Sequence, residues 1–287
     1  MKTEGVAVLS ISSALYGFSI ILVKMALNQG YSSYSLVSSR SLLSIPMMIL
    51  AIFLLKDKVN YETPLPKRDL TIIGIIGSGT AMMTLYLGQA YTLAINAGFI
   101  FRFVFIFTAL FSHFLLKDKI QKSQYSSMII MFIGMYLIST DGKALNPHWG
   151  DILVLLASMQ VGFTNVLAKI TMKKVNSYMI SAIRIFIGSL FTVLIVSALF
   201  GINTLSPILS IPYTVLALAL LEIIFIFLYY RGIEIEGPLT ATLFFLMGAL
   251  VSALLSYIIL GEKLSAVGWT GGLLIMVGAY ILIKKSK

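Results

Sequence analysis

Uncharged apolar runs of about 20 residues follow one another along almost the whole chain. Inside a bilayer no water meets the backbone N–H and C=O groups. A spanning segment must satisfy them within itself, as a helix, or across strands closed into a barrel. The runs lack the alternation of apolar and polar residues that a barrel strand of about 10 residues carries. The chain is therefore read as an all-α polytopic membrane protein. Ten spanning helices are expected, at about 6–27, 33–55, 70–95, 97–116, 123–140, 150–170, 177–200, 211–235, 238–260 and 265–284. Pro212 and Pro238 fall at helix starts, where a missing N–H costs little. Pro46 falls inside the second span and is expected to kink it. Only 11% of the residues are charged, against about 25% in a soluble domain, which excludes a soluble domain of any size. The first run, Val6–Val23, is read as a span rather than a cleavable leader, because it is long and lacks a small-residue cleavage site.

Net charge is +10, which in a soluble protein would suggest nucleic acid. Its placement says otherwise. Fourteen basic residues fall on one side of the expected membrane, among them Lys2, Lys67, Arg68, Lys173, Lys174, Arg231 and Lys284. Lys143 and Lys263 fall on the other side, with Lys24 at a helix end. Lys and Arg stay cytoplasmic in short loops, so both termini are expected in the cytoplasm and nucleic acid is not an expected partner. Cys is absent, so disulfides and thiolate metal sites are excluded.

The chain also repeats itself. Residues 99–136 recur as 243–280: Ala109-Leu110 meets Ala253-Leu254, Ser112 meets Ser256, and Gly134-x-Tyr136 meets Gly278-x-Tyr280. Further upstream, Gly17-Phe18…Lys24 meets Gly162-Phe163…Lys169, and Ser33-Tyr34…Arg40 meets Ser177-Tyr178…Arg184. Two units are expected, 1–141 and 142–287. Five spans per unit is an odd number, so the second unit inserts upside down relative to the first. Inverted repeats of this kind enclose a midplane site in secondary transporters and rock around it.

This pattern resembles the drug/metabolite transporter superfamily, in particular proteins with two EamA-type domains. The likeness rests on the arginine early in the second helix of each half (Arg40, Arg184), on the charged breaks Lys117-Asp118-Lys119-Ile120 and Gly261-Glu262-Lys263-Leu264, and on the late glycines Gly134 and Gly278. It covers essentially the whole chain. The resemblance implies ten helices, a central cavity lined by the first, third and fourth helices of each half, and export of small metabolites.

Glu222 is the sharpest single candidate. It lies near the middle of the eighth span, in LALALLEIIFIFLYY, with no charge beside it in sequence. An acid at that depth costs about 3 kcal/mol if it meets lipid, so it is expected to face the bundle interior or a wet cavity. Phe225, Ile226 and Tyr229 share its helix face. Such a carboxyl can bind a substrate amine or a coupling proton, or it can be a hydrogen-bonded structural acid. Arg102, in the fourth span, has Leu246 at its counterpart. It can hold a substrate carboxylate or phosphate through a bidentate pair, snorkel to the outer interface, or pair with Glu222. Tyr16, Tyr86, Gln89, Asn165 and Tyr229 complete the candidate substrate-binding set, with ordinary helix packing as the alternative. Arg40 and Arg184 occur in both halves, so a shared structural or gating role is expected of them. Asp118 and Glu262 sit beside lysines at helix ends and suit solvated pairs or gates.

No P-loop, nucleophile elbow or metal-spaced His/Asp/Glu set is present, so neither an enzyme nor a cofactor is expected. The reading is a secondary transporter in the plasma membrane, monomeric or homodimeric. It is expected to export amino acids or similar zwitterions by alternating access, with protons as the coupling ion. A transporter of organic cations or lipophilic drugs is the alternative within transport. A membrane scaffold or intramembrane enzyme is the alternative outside it.

Overall fold

The computed structural model describes residues 1–54, 64–92, 100–117, 119–144, 148–261 and 265–285. Besides a 3-10 turn at Ile202–Leu205 and a short helix at Pro207–Ser210, ten longer helical segments stand out among them. These are α1 (Thr3–Asn28), α2 (Ser33–Leu54), α3 (Lys67–Gly74 continuing through a π-helical stretch, Ile75–Thr80, into Ala81–Ala90) and α4 (Val104–Phe111, then π-helical Ser112–Leu116). There follow α5 (Lys122–Thr140), α6 (Trp149–Thr171), α7 (Ser177–Phe200), α8 (Pro212–Glu236), α9 (Pro238–Leu260) and α10 (Ala266–Lys285). No strand occurs among the described residues. Among the described residues seven helices are long and apolar enough to cross a membrane; the apolar parts of α4, α5 and α10 are shorter, at Val104–Leu116, Gln124–Leu137 and Ala266–Ile281.

Local signals explain the boundaries. Asn176 caps α7, its side chain accepting from the Met179 N–H at 3.2 Å. Asp151 reaches back to the His148 N–H at 2.8 Å to start α6. Pro212 and Pro238 open α8 and α9. Gly237 alone joins these two helices, at φ +87°, a conformation open to a residue without Cβ. α2 runs unbroken through Pro46.

The distribution of side chains is that of a protein in lipid. Ile49, Leu50, Phe53 and Leu54 on α2 point outward, each more than half exposed, as do Leu194 and Leu199 on α7. Polar side chains are buried instead: Ser12, Ser38, Ser44, Ser158, Thr164, Asn165, Arg102 and Arg184. Many hydroxyls satisfy themselves on the carbonyl one turn back, as Thr108 does on Val104 at 2.8 Å and Ser181 on Ser177 at 2.8 Å.

Helix packing follows a pattern. α1 packs on α8 and α9; α6 packs on α3 and α4; α2 pairs with α7, and α5 with α10. Replacing every helix by the one five places along returns the same set of pairs. Glycines make the close approaches. A Cβ on Gly150 (α6) would stand 2.2 Å from the Gly88 carbonyl oxygen (α3), and one on Gly134 (α5) would stand 2.5 Å from the Gly271 carbonyl oxygen (α10). α5 and α10 lie together to one side. The other eight helices surround a cavity.

Candidate functional site

The cavity encloses about 750 Å³ of empty space, its mouth included, and takes wall residues from α1–α4 and α6–α9. One part of the wall is apolar and aromatic. Tyr16, Phe101, Phe225, Tyr229 and Phe245 gather there, with ring centroids 4.4 Å apart for Tyr16–Phe245, 5.2 Å for Tyr16–Phe225 and 5.4 Å for Phe225–Tyr229. The other part is charged and holds Arg40, Glu222, Arg184 and Ser78.

Glu222 sits on α8, ten residues after its first, Pro212. No residue within eight positions of it in the chain is charged, but α2 brings Arg40 to it. Arg40 Nε lies 3.0 Å from Glu222 Oε2, and both side chains are 14% exposed. Ser44, one turn along α2 from Arg40, donates weakly to the same oxygen at 3.4 Å. Tyr16 and Tyr86 stand within electrostatic reach of Arg40. A pair in this position exchanges hydration for mutual attraction, so removing one partner leaves the other as an uncompensated interior charge.

Arg184, the counterpart of Arg40 on α7, is held differently. Its Nε donates to Ser78 Oγ at 2.9 Å, its Nη2 to the Gly77 carbonyl at 2.9 Å, and its Nη1 to the Tyr230 hydroxyl. Its guanidinium also lies 5.0 Å from the centre of the Tyr230 ring. All these partners are neutral. Ser78 and Gly77 belong to the π-helical stretch of α3. A π turn is a wider, rarer helical turn that recurs at functional sites. Gly77 also leaves room: a Cβ there would stand 3.3 Å from the Arg184 guanidinium carbon.

The remaining candidates fall into three groups. Tyr16, Asn165 and Tyr229 line the cavity together with Glu222, and Asn165 Nδ2 donates to the Tyr229 hydroxyl at 3.0 Å. Phe225 and Ile226 line it too, as their shared face with Glu222 requires. Arg102 and Tyr86 are buried but are not wall residues; Phe101 and Val104, on either side of Arg102, are. Gln89 lies near the end of α3 with its side chain outside the described part, and Asp118 and Glu262 lie outside the described residues. On α1 and α6 the small residues serve packing. Ser13 donates to the Phe244 carbonyl at 2.7 Å, and Gly17 and Gly162 admit α9 and α4. Lys169 caps the end of α8, donating to the Ile233 and Glu234 carbonyls at 3.1 and 2.6 Å.

Ser78 as a partner of Arg184 escaped the sequence reading. A signal was available: Ser78 stands 144 positions before Glu222, the same interval that separates Arg40 from Arg184 and Tyr86 from Tyr230. The repeat thus carries two versions of one cluster, Arg40–Glu222–Tyr86 and Arg184–Ser78–Tyr230, and the acid is present in one alone.

Apolar helices with an outward apolar surface, closed around a cavity with buried charge, define a polytopic membrane protein with a polar interior cavity. The sequence matches the EamA-like transporter family twice, over residues 3–140 and 148–284. The chain belongs to that family and is a membrane transporter. Its relatives include an uncharacterized transporter of Archaeoglobus fulgidus, 25% identical with 97% of this chain and 98% of that protein aligned. Another is the uncharacterized transporter YyaM of Bacillus subtilis, 26% identical over 94% and 92%. A third, from Methanothermobacter thermautotrophicus, is 25% identical over 80% and 69%. A protein of known crystal structure shares the fold with a TM-score of 0.76 over 99% of both chains at 14% identity.

Proposed function

We propose that this transporter is a secondary carrier of small zwitterionic metabolites such as amino acids, working by alternating access. The observation that carries the reading is the cavity, which brings two arginines and one carboxylate of opposite halves to a place deep among the helices. An arginine there offers a planar fork to an acid group, and Glu222 offers a carboxylate to an amine or a proton. The aromatic wall supplies apolar area for the rest of the solute. Arg102, just behind that wall, adds positive potential from the α4 side, and Tyr86 adds a hydroxyl near Arg40. In this reading Asp118 and Glu262 take the gating roles at the helix ends.

Residues 1–141 and 142–287 would be inverted five-helix units crossing the membrane ten times, in support of which the helix pairs survive exchange of the halves. Both termini would be cytoplasmic in the plasma membrane, as the basic loops favour, and export is the direction that the family resemblance favours. Protons would be the coupling ion, with Glu222 as carrier. Transport by the purified protein in proteoliposomes tests the whole. Labelled amino acids should move in the wild type under a pH gradient. Glu222→Gln should lose gradient-driven flux and keep exchange, which needs no net proton movement. Unchanged gradient-driven flux in well-folded Glu222→Gln would take Glu222 out of the mechanism. The chain has no cysteine of its own, so single cysteines test topology. Those at Lys122 and Lys174 should label from inside and those at Asn28 and Asn203 from outside; labelling of all four from one side would end the inverted arrangement.

A second reading has its own observation. Tyr16, Phe225, Tyr229 and Phe245 stand around the space beside Glu222, and rings next to a carboxylate suit an organic cation. Flux of a quaternary amine, unaffected by Arg184→Gln, would favour it.

A further inference from the structure

We propose that the substrate carries a carboxylate, that Arg184 receives it at Ser78, and that this acid group, not an amine, is what the site requires. The inference rests on the transport reading for the meaning of "substrate" but concerns binding alone.

Three observations carry it. The first is charge. The cavity wall holds two guanidinium groups, Arg40 and Arg184, and one carboxylate, Glu222, which leaves one positive charge over. An uncompensated charge in a low-dielectric interior is unfavourable, and an anionic ligand relieves it. The second is donor capacity. A guanidinium has five N–H donors. Arg184 spends three, on Ser78, Gly77 and Tyr230, so two remain, and among the described residues no carboxylate lies within ion-pair distance of it. The third is the repeat. At the place where Arg40 meets the Glu222 carboxylate, Arg184 meets a serine hydroxyl 144 positions earlier in the chain. A carboxylate arriving from the cavity beside Ser78 supplies the group that the Arg184 cluster lacks and makes the two clusters alike. Ser78 is small enough to leave room for it and keeps a hydroxyl to donate. Arg40, already paired, is the poorer receptor, since a ligand there must displace Glu222.

The test uses the full-length protein purified in detergent at neutral pH, with acetate, benzoate and 3-phenylpropionate as probes. Each is compared with its own amide at equal ionic strength set with sodium chloride. At saturation at least one carboxylate should raise the melting midpoint by about 3 °C or more, while its amide does little. The amide should bind at least ~10-fold more weakly, the weight of one charge-assisted hydrogen bond. Ser78→Glu places the missing acid in the wall. It should stabilise the unliganded protein and erase the carboxylate response, and Ser78→Asp should do the same to a smaller degree. Ser78→Ala loses the hydroxyl that donates and should weaken the response without erasing it. The proposal is overturned if none of the three carboxylates stabilises the wild type above chloride, if amides match acids, or if a folded Ser78→Glu protein responds as the wild type does. Carboxylate binding without flux in proteoliposomes would sink the transport reading and uphold this one. Flux of neutral or cationic solutes without any carboxylate response would do the reverse.

Discussion

Arg40 on α2 meets Glu222 at 3.0 Å, whereas Arg184, at the matching place on α7, meets Ser78 at 2.9 Å. Both arginines come from the same position of a repeated unit, and both line the same cavity. One is neutralised by an acid; the other keeps its charge among a hydroxyl, a phenol and a carbonyl. A symmetric scaffold therefore holds an asymmetric site. The comparison teaches that duplicated backbone positions fix where the arginines stand, while single residues facing them set the charge that a solute meets.

The largest effect on this contrast is expected from Glu222→Gln. Arg40 then stays in the interior without its counter-charge, and breaking such a pair from one side costs about 3–5 kcal/mol. Chemical denaturation in detergent should show that loss, and Arg40→Gln added to Glu222→Gln should recover at least half of it. A double variant as unstable as the single one would mean that the two side chains do not act as a pair. Arg184→Lys comes next. Lysine keeps the charge but cannot reach Ser78, Tyr230 and the Gly77 carbonyl with one planar group, so a loss of about 2 kcal/mol is expected. A loss smaller than that of Ser78→Ala would show that the fork is not what holds Arg184. Ser78→Ala removes one hydroxyl acceptor and should cost about 1 kcal/mol, well below Glu222→Gln at the equivalent place. Similar losses for the two would erase the asymmetry. The smallest effect should be that of Tyr229→Phe, which removes the 3.0 Å bond from Asn165 and leaves the ring cluster intact; about 0.5 kcal/mol is expected. Transport by Arg102→Gln sharpens the contrast from outside the wall. Solutes without an acid group should move as in the wild type, and zwitterions should move more slowly than in the wild type but faster than in Arg184→Gln.

The sequence by itself settled that the chain is helical and membrane-embedded, because apolar runs of membrane length leave the backbone few other ways to satisfy its hydrogen bonds. It also gave two helix starts, since Pro212 and Pro238 act locally. The shared face of Glu222, Phe225, Ile226 and Tyr229 followed from helical period alone, and all four reach the cavity. What the sequence could not decide was which helices meet. No charged residue lies within eight positions of Glu222 in the chain, and its partner Arg40 arrives from a helix 182 positions away. The same limit hid the roles of Ser78 and Gly77, whose contact with Arg184 spans the two halves through a π turn that no local propensity announces. It also left Arg102 open, since Arg102 lies in a turn just before α4, where helical period does not say which way a side chain faces. Periodicity tells which residues share a face; only packing between helices decides what that face meets, and in a buried site that choice sets whether a charge is paired or waits for a ligand.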